Sequence, residues 1–402
     1  MATDVYIVAA QRTAVTKAHK GPLAQFRPDD MLANLLTDVI AKTAIDPQLI
    51  DDVIIGCATP EAQQGMNIAR ISLLLAGLPE SVPGFTINRF CASGLESIAV
   101  AAAKIKAGQA DAILAGGVEN MSLIPFGGHN ISANPAIFGS DNKLLPVSYG
   151  MGLTAEAVAK KWQIKREDQD AFALRSHQKA IAAIDSNIFA KEITPLTLTT
   201  AKPDTNSTNL ISTNLISSNT VIDKDFGPRR DTSLSILAKL KPIFAKDGSV
   251  TAGNSSQISD GASVLMLASG DFIKQHKLKP LAKFSAYKVA GLEPEYMGMG
   301  PVHAIPKALK MANLSINNID HIELNEAFAA QALAVINSAN LNMDVINPYG
   351  GAIALGHPLG ATGAIKTTSL IHSLLRNEQR YGMVTMCVGT GMGAAGIFEA
   401  IL

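Results

Sequence analysis

Three residues in this chain have side chains suited to nucleophilic and acid–base chemistry: Cys91, His357 and Cys387. Cys91 lies in Asn88-Arg89-Phe90-Cys91-Ala92-Ser93-Gly94, between a strand-like run and the start of a helical stretch. Backbone N–H groups and the dipole at a helix N-terminus favour negative charge, so a thiolate is expected to be stabilised there. Small neighbours leave room for a substrate to reach the sulfur. Taken alone, an isolated Cys is more ordinarily a buried structural residue.

The second half of the chain supplies context. The segment Asn347 to Gly363 sets glycines at 350, 351, 356, 360 and 363 around one histidine, His357. Glycines in such number are costly unless the backbone must turn sharply or approach another group closely. An imidazole there can accept a proton near neutral pH or donate to an oxyanion. Cys387 follows in Met386-Cys387-Val388-Gly389-Thr390-Gly391-Met392-Gly393, at the end of an apolar run. Only nine residues remain after Gly393, too few for the helix, strand and ribose-binding acid of a dinucleotide site. No Cys-x-x-Cys spacing occurs and His357 is not grouped with acids at ligand intervals, so no metal site is expected. Asn325, after the strand-like Ile322-Glu323-Leu324, can orient a water or donate to a developing oxyanion, although Asn is equally at home as a helix N-cap.

These residues need a framework that joins distant parts of the chain. At 402 residues, with 47% apolar and 17% charged residues, the chain can bury a large core, and two or three domains are expected. Acidic and basic residues balance at 34 each, which gives no argument for nucleic acid or an acidic membrane surface. No apolar run approaches the length of a membrane span. The three cysteines, Cys57, Cys91 and Cys387, cannot form a disulfide framework and suit a reducing compartment. Val5 to Ala10 reads as a strand with no targeting segment before it, and the last residues match no retention or peroxisomal address, so a soluble, cytoplasmic protein is expected.

Short apolar strands alternate with Ala-rich helical stretches, which predicts an α/β fold of parallel strands with helical crossovers. Helices are expected over about 66–75, 95–106, 151–161 and 167–183. The chain also resembles itself: Ile45 to Val53 is similar to Leu314 to Ile322, and each leads into a strand, a polar loop and an Ala-rich helix. Ile87-Asn88 and Ile346-Asn347 each precede a Gly-containing loop, a helix and a strand, so a duplicated βα unit is expected. Residues 121–249 differ in texture. Within them the polar tract Thr194 to Thr220, with a near-tandem Ser-Thr-Asn-Leu-Ile-Ser repeat (Ser207 to Ser212, then Thr213 to Ser217), is expected to be an irregular surface excursion.

Together these segments resemble the thiolase family over nearly the whole chain. The motifs are Asn-Arg-x-Cys-x-Ser-Gly at Cys91, Gly-Gly…Gly-His-Pro-x-Gly at His357 and Cys-x-Gly-x-Gly-x-Gly at Cys387. Asn325-Glu326-Ala327-Phe328 and Gly253-Asn254-Ser255-Ser256…Ser259-Asp260-Gly261-Ala262 match two more. The resemblance implies two duplicated βαβαβαββ halves in an α/β/α/β/α five-layer core, with an inserted loop domain. Residues 1–120 with 250–272 would form one half, 121–249 the insert and 273–402 the other half. It also implies two-step acyl transfer on coenzyme A thioesters. Cys91 would be the acyl-thioester nucleophile, His357 its base and an oxyanion donor, and Cys387 the acid/base. Asn325 would hold a water, and the Gly389 and Cys91 N–H groups would hold the second oxyanion. Coenzyme A is then a co-substrate with no bound cofactor, and 3-ketoacyl-CoA and acetyl-CoA are the other ligands.

Residues 224–246 carry six basic side chains against two acids, a local positive excess in a neutral chain. Family likeness puts the CoA nucleotide there, with Arg229 near the adenine and phosphates and Ser256 and Met151 along the pantetheine; a solvated charged face is the plainer alternative for any one Lys. Relatives specific for acetoacetyl-CoA usually have His-Met-Gly where this chain has Gly150-Met151-Gly152, and Gly-Gly soon after the second Cys. Both departures resemble degradative members that shorten 3-ketoacyl-CoA, the acetyl-CoA C-acyltransferases of fatty-acid β-oxidation. Acetoacetyl-CoA synthesis or cleavage is the alternative. A decarboxylating condensing enzyme would usually have two histidines, or His and Asn, in place of Cys387. A non-catalytic lipid carrier could have lost the nucleophile. The resemblance further implies a homodimer or homotetramer.

Overall fold

The computed structural model describes residues 4–138, 150–203 and 215–402. The first strands are β1 (Val5–Arg12), β2 (Thr16–Lys17), β3 (Asp52–Gly56), β4 (Gly84–Ile87) and β5 (Ala112–Asn120). A hairpin of β6 (Leu196–Pro203) and β7 (Leu215–Ile222) is followed by β8 (Ser259–Ser269), β9 (Ala282–Gly291), β10 (His321–Leu324), β11 (Tyr381–Val388) and β12 (Met392–Ala400).

The internal likeness seen in the sequence is a likeness of topology. Hydrogen bonding in the first half runs β4-β3-β5-β8-β1, with β3 parallel to β4 and β5, and β8 antiparallel to β5 and β1. The second half runs β10-β11-β12-β9, with β10 and β11 parallel and the other pairs antiparallel. A parallel bridge between Ile322 and Ile346 stands where β4 stands beside β3. The two halves join where Tyr6 and Ile7 of β1 pair with Lys283 and Ala282 of β9.

Strands β3, β5 and β8 are buried along their whole lengths, as strands covered on both faces must be. One cover is the helix pair Pro28–Thr43 and Ile68–Leu75, whose Met31, Leu32, Leu35, Leu36 and Leu73 meet the first half's sheet. The other is a central layer made by the helices Ser93–Lys106 and Leu359–Arg376, whose side chains share one core with strands of both halves. The helices Gly300–Ala312 and Ala329–Ser338 cover the far face of the second half. This is the α/β/α/β/α order. The central helices touch through small residues: a Cβ on Gly94 would lie 2.8 Å from the Gly360 carbonyl oxygen.

Helices at Ile68–Leu75, Ser93–Lys106, Met151–Lys161 and Arg166–Asp185 lie within two residues of their expected limits. The tract from Thr194 to Thr220 departs from expectation. Its flanks are the antiparallel hairpin of β6 and β7, with Leu196 opposite Ile222 and Thr197 opposite Val221. Leucine, β-branched Thr and Val at alternating positions favour strand, and buried Leu196 and Ile222 pack into the first half's core. The centre of the Ser-Thr-Asn-Leu-Ile-Ser repeat, residues 204–214, lies outside the described residues.

One buried ion cluster fastens the segment between β5 and β8 to the sheet. Arg12, at the end of β1, donates from Nε to Glu192 (2.7 Å) and from both terminal nitrogens to Asp225 (2.7 and 2.9 Å). Burial opposes its charge, but the two carboxylates more than reverse that and hold its pKa above the usual guanidinium value.

Candidate active site

The loop after β4 places Cys91. Asn88 accepts the Phe90 N–H at 2.7 Å and donates to the Ala58 carbonyl at 2.9 Å, while Ser93 Oγ accepts the Arg89 N–H at 2.8 Å. These side chains hold Phe90 at a φ of 45°, so the single 3-10 turn Phe90–Ala92 presents the sulfur at the mouth of the central helix. The backbone N–H groups of Gly389 and of Cys91 itself favour the thiolate. Burial still outweighs them and pushes the thiol up to about 12. The free protein therefore holds a thiol at neutral pH, not the dipole-stabilised thiolate that the helix N-terminus suggests. Removal from water costs the anion more than two N–H groups restore.

His357 is set by backbone. Gly356 has a φ of 106°, and a Cβ on it would lie 2.3 Å from Ser259 Oγ, so only glycine allows the chain to pass. The His357 N–H then donates to the Gln257 carbonyl and Ser259 Oγ, beside the start of β8. Its Nδ1 lies 2.6 Å from Thr362 Oγ1, and that hydroxyl donates to the Pro358 carbonyl. With the hydroxyl donating to Pro358 it accepts from the ring, which assigns the proton to Nδ1 and leaves Nε2 as the acceptor. Asn325 Nδ2 lies 3.3 Å from Nε2, as that tautomer requires. Burial, with the positive charge of Lys366 added, lowers the imidazole pKa to about 3 and keeps the ring neutral.

Cys387 is the penultimate residue of β11 and is fully buried. Burial first, and Cys91 second, push its thiol well above the usual range, which places the two sulfurs within electrostatic reach of each other. Asn325 follows β10 and is anchored by its N–H to the Thr385 carbonyl of β11. Its Oδ1 is buried and has no hydrogen-bond partner among the described residues.

Cys91, His357 and Cys387 line one cavity of about 500 Å³. Met151 and Ser256 line it too, with Gly150 at its wall. Its lining is mostly apolar, with Phe126, Phe244, Met297 and Phe328 prominent. Arg229 does not line this cavity. It lies in a neighbouring depression with Lys17, Lys20 and Arg230, and Lys17 and Gln257 belong to both. The Arg229 N–H donates to His177 Nδ1 at 3.1 Å, and burial followed by the Arg229 charge lowers that imidazole to about 4.

Several contributors are invisible in the sequence pattern. Thr362 sits inside the glycine-rich segment, but its bond to the ring depends on helix geometry. Lys17 and Lys20 reach the depression from the far end of the chain. Glu119, on β5, accepts N–H groups of Ala58 (2.8 Å), Thr59 (3.2 Å) and Gly360 (2.8 Å) as well as Gln64 Nε2 (2.7 Å). Its buried carboxylate thus ties the loop after β3 to the N-terminus of the helix that follows His357.

Family models describe both parts of the chain: "Thiolase, N-terminal domain" matches residues 5–271 and "Thiolase, C-terminal domain" matches residues 278–400. The "3-ketoacyl-CoA thiolase" of Bacillus subtilis (strain 168) is 48% identical over 98% of this chain and 99% of its own length. A crystal structure of Bacillus anthracis acetyl-CoA acetyltransferase superposes with a TM-score of 0.88 at 37% identity, covering 100% of this chain and 99% of that one. Human mitochondrial 3-ketoacyl-CoA thiolase does so with a TM-score of 0.87 at 36% identity, with the same coverage.

Proposed function

This chain belongs to the thiolase family, and we propose that it is an acetyl-CoA C-acyltransferase that cleaves 3-ketoacyl-CoA with free CoA, as in fatty-acid β-oxidation. One observation carries the reading: two sulfurs and one imidazole from both halves of the fold line a single largely apolar cavity.

In the proposed cycle the Cys91 thiol passes its proton to His357 Nε2 as the sulfur attacks the 3-keto carbon. The resulting oxyanion accepts from the N–H groups of Cys91 and Gly389. Its collapse breaks the bond between the α and β carbons, and that electron pair becomes the enolate of acetyl-CoA. The enolate oxygen accepts from protonated His357 and from a water held by Asn325, while Cys387 supplies the proton to carbon. Free CoA then gives its thiol proton to Cys387 and attacks the acyl-Cys91 thioester. The shortened acyl-CoA departs, and Cys91 recovers its proton from His357. A thioester keeps the acyl group activated between the two steps. The cycle balances with CoA as co-substrate and calls for no resident cofactor.

Arg229 takes the CoA nucleotide phosphates and adenine, aided by Lys17 and Lys20 in the same depression. Met151 and Ser256 line the path of the pantetheine into the cavity. Preference for longer acyl chains is supported by Gly150, beside which a Cβ would meet nothing within 4 Å among the described residues. The second reading, acetoacetyl-CoA as the substrate in either direction, is favoured by the name of the B. anthracis relative. Turnover across short- to long-chain 3-ketoacyl-CoAs, assayed in thiolysis and in condensation, decides between them. Activity confined to acetoacetyl-CoA removes the first reading.

The reading extends to a reducing, cytoplasmic compartment, supported by three free thiols, two of them in the cavity. Among the described residues no helix is long and apolar enough to cross a membrane. It extends also to a homodimer or homotetramer, supported by exposed Met66, Leu74 and Leu75 at the helix beside edge strand β4. Sedimentation equilibrium tests that assembly.

A further inference from the structure

We propose that the buried ion pair Lys366–Glu323 is a positioning pair, stapling β10 to the helix Leu359–Arg376 so that both hydrogen bonds of His357 are held at once. The inference rests on the acyl-transfer reading above and deepens it.

Lys366 Nζ lies 2.9 Å from Glu323 Oε2, and both side chains are buried. The other carboxylate oxygen, Oε1, is 2.9 Å from His321 Nε2, and His321 Nδ1 is 2.8 Å from Ser373 Oγ. His321 and Glu323 are alternate residues of β10, so they share a face; Thr362, Lys366 and Ser373 share the helix face opposite. The pair spans the two elements that touch the imidazole. Thr362, one turn before Lys366, accepts the Nδ1 proton. Asn325, two residues after Glu323, meets Nε2. A shift of this helix against β10 would lengthen one bond or the other.

Stability alone does not explain such a pair. Removing an ammonium and a carboxylate from water costs several kcal/mol each, and apolar replacements of similar volume are often neutral or stabilising. Here the charges are fully committed: burial raises the Glu323 carboxyl, but Lys366 and His321 more than reverse it and hold it near 2. An expensive interaction beside the reacting ring is better explained by geometry, since a misplacement of about 1 Å can cost on the order of a hundredfold in rate.

The test uses the full chain, with wild-type thiolysis as reference, so that an inactive wild type speaks against the acyl-transfer reading and not against the staple. The variant Lys366→Met/Glu323→Gln carries no unpaired buried charge and keeps the His321 contact. Its kcat is expected to fall at least about tenfold while KM for CoA stays within about threefold, because the lost element positions the base and touches no CoA. Alkylation of Cys91 by iodoacetamide is expected to slow in parallel. Wild-type kcat in this folded variant overturns the proposal. The variant Lys366→Arg/Glu323→Asp retains a salt link of similar reach and is expected to hold kcat within about threefold of wild type. A tenfold loss there, with the fold intact, also overturns it, and this variant decides alone should the neutral one not fold.

Discussion

His357 Nδ1 lies 2.6 Å from Thr362 Oγ1, and because that hydroxyl already donates to the Pro358 carbonyl, the ring is fixed as the tautomer whose Nε2 can take a proton. Thr362→Val removes the acceptor and frees the ring to place its proton on Nε2, where it cannot act as base. The expected result is a fall in thiolysis kcat of about a hundredfold with KM little changed. Thr362→Ser keeps the hydroxyl and should retain most of the activity; equal loss in both variants would show that packing, not the hydrogen bond, is at work.

The depressed imidazole makes stability depend on pH in a defined direction. His357 titrates near 3 in the fold and near 6.5 in the unfolded chain, so the unfolded state takes up the proton first as pH falls. The stabilising contribution of the neutral ring is complete above about 6.5 and is lost as pH falls toward 3. Urea unfolding of wild type and His357→Gln should show the wild type losing about 1–2 kcal/mol more between pH 7 and pH 5. A parallel decline of the two proteins argues that the ring is solvated and its pKa ordinary.

Arg12 has a different task, to hold Glu192 and Asp225 and with them the chain leading to Arg229. Arg12→Met leaves two buried carboxylates without a cation, and about 3–5 kcal/mol of stability is expected to disappear. Because Asp225 also accepts the Val15 N–H at 2.7 Å, KM for CoA should rise more than kcat falls. Calorimetry and steady-state kinetics on one preparation check both, and an unchanged melting temperature rules out the clamp.

The motifs around Cys91, His357 and Cys387 were legible because each meets a local demand: a tight turn, a close backbone passage, a small residue beside the cavity. The twofold repeat was legible for a similar reason, since β3 and β10 each follow a single 3-10 turn. What escaped depends on tertiary partners. Nothing near Lys366 in the sequence points to Glu323, and nothing near Glu119 points to Gly360. At Cys91 the helix-end position suggests a thiolate, whereas burial around the sulfur favours the thiol. In the Thr194 to Thr220 tract, abundant Ser, Thr and Asn concealed the strand propensity of Leu196 and Thr197, which pair with Ile222 and Val221 just beyond it.

On the proposed reading, Gly150 at the cavity wall is where acyl chain length is selected. Among the described residues nothing lies within 4 Å of a Cβ at this position, so Gly150→Ala should be tolerated, whereas Gly150→His places a ring at the cavity wall. The expected outcome is a fall of about tenfold or more in kcat/KM for long-chain 3-ketoacyl-CoA with acetoacetyl-CoA affected much less. Equal losses for both substrates would assign the acyl chain to another wall.

The two sulfurs should separate cleanly. Cys91→Ala is expected to abolish thiolysis and condensation alike. Cys387→Ala should still allow Cys91 to accept an acyl group from a thioester donor, while cleavage of the carbon–carbon bond falls by at least about a hundredfold. Rapid-quench measurement of each half-reaction makes the comparison, and unimpaired thiolysis by Cys387→Ala would refute the role given to that residue.

The most direct test is a single turnover of a 3-ketoacyl-CoA in the absence of free CoA, followed by peptide mass spectrometry. An acyl mass on the peptide containing Cys91, with an equal amount of acetyl-CoA released, is the result that this account predicts. Acylation of Cys387 or Cys57 instead, or bound substrate without any covalent adduct, contradicts it.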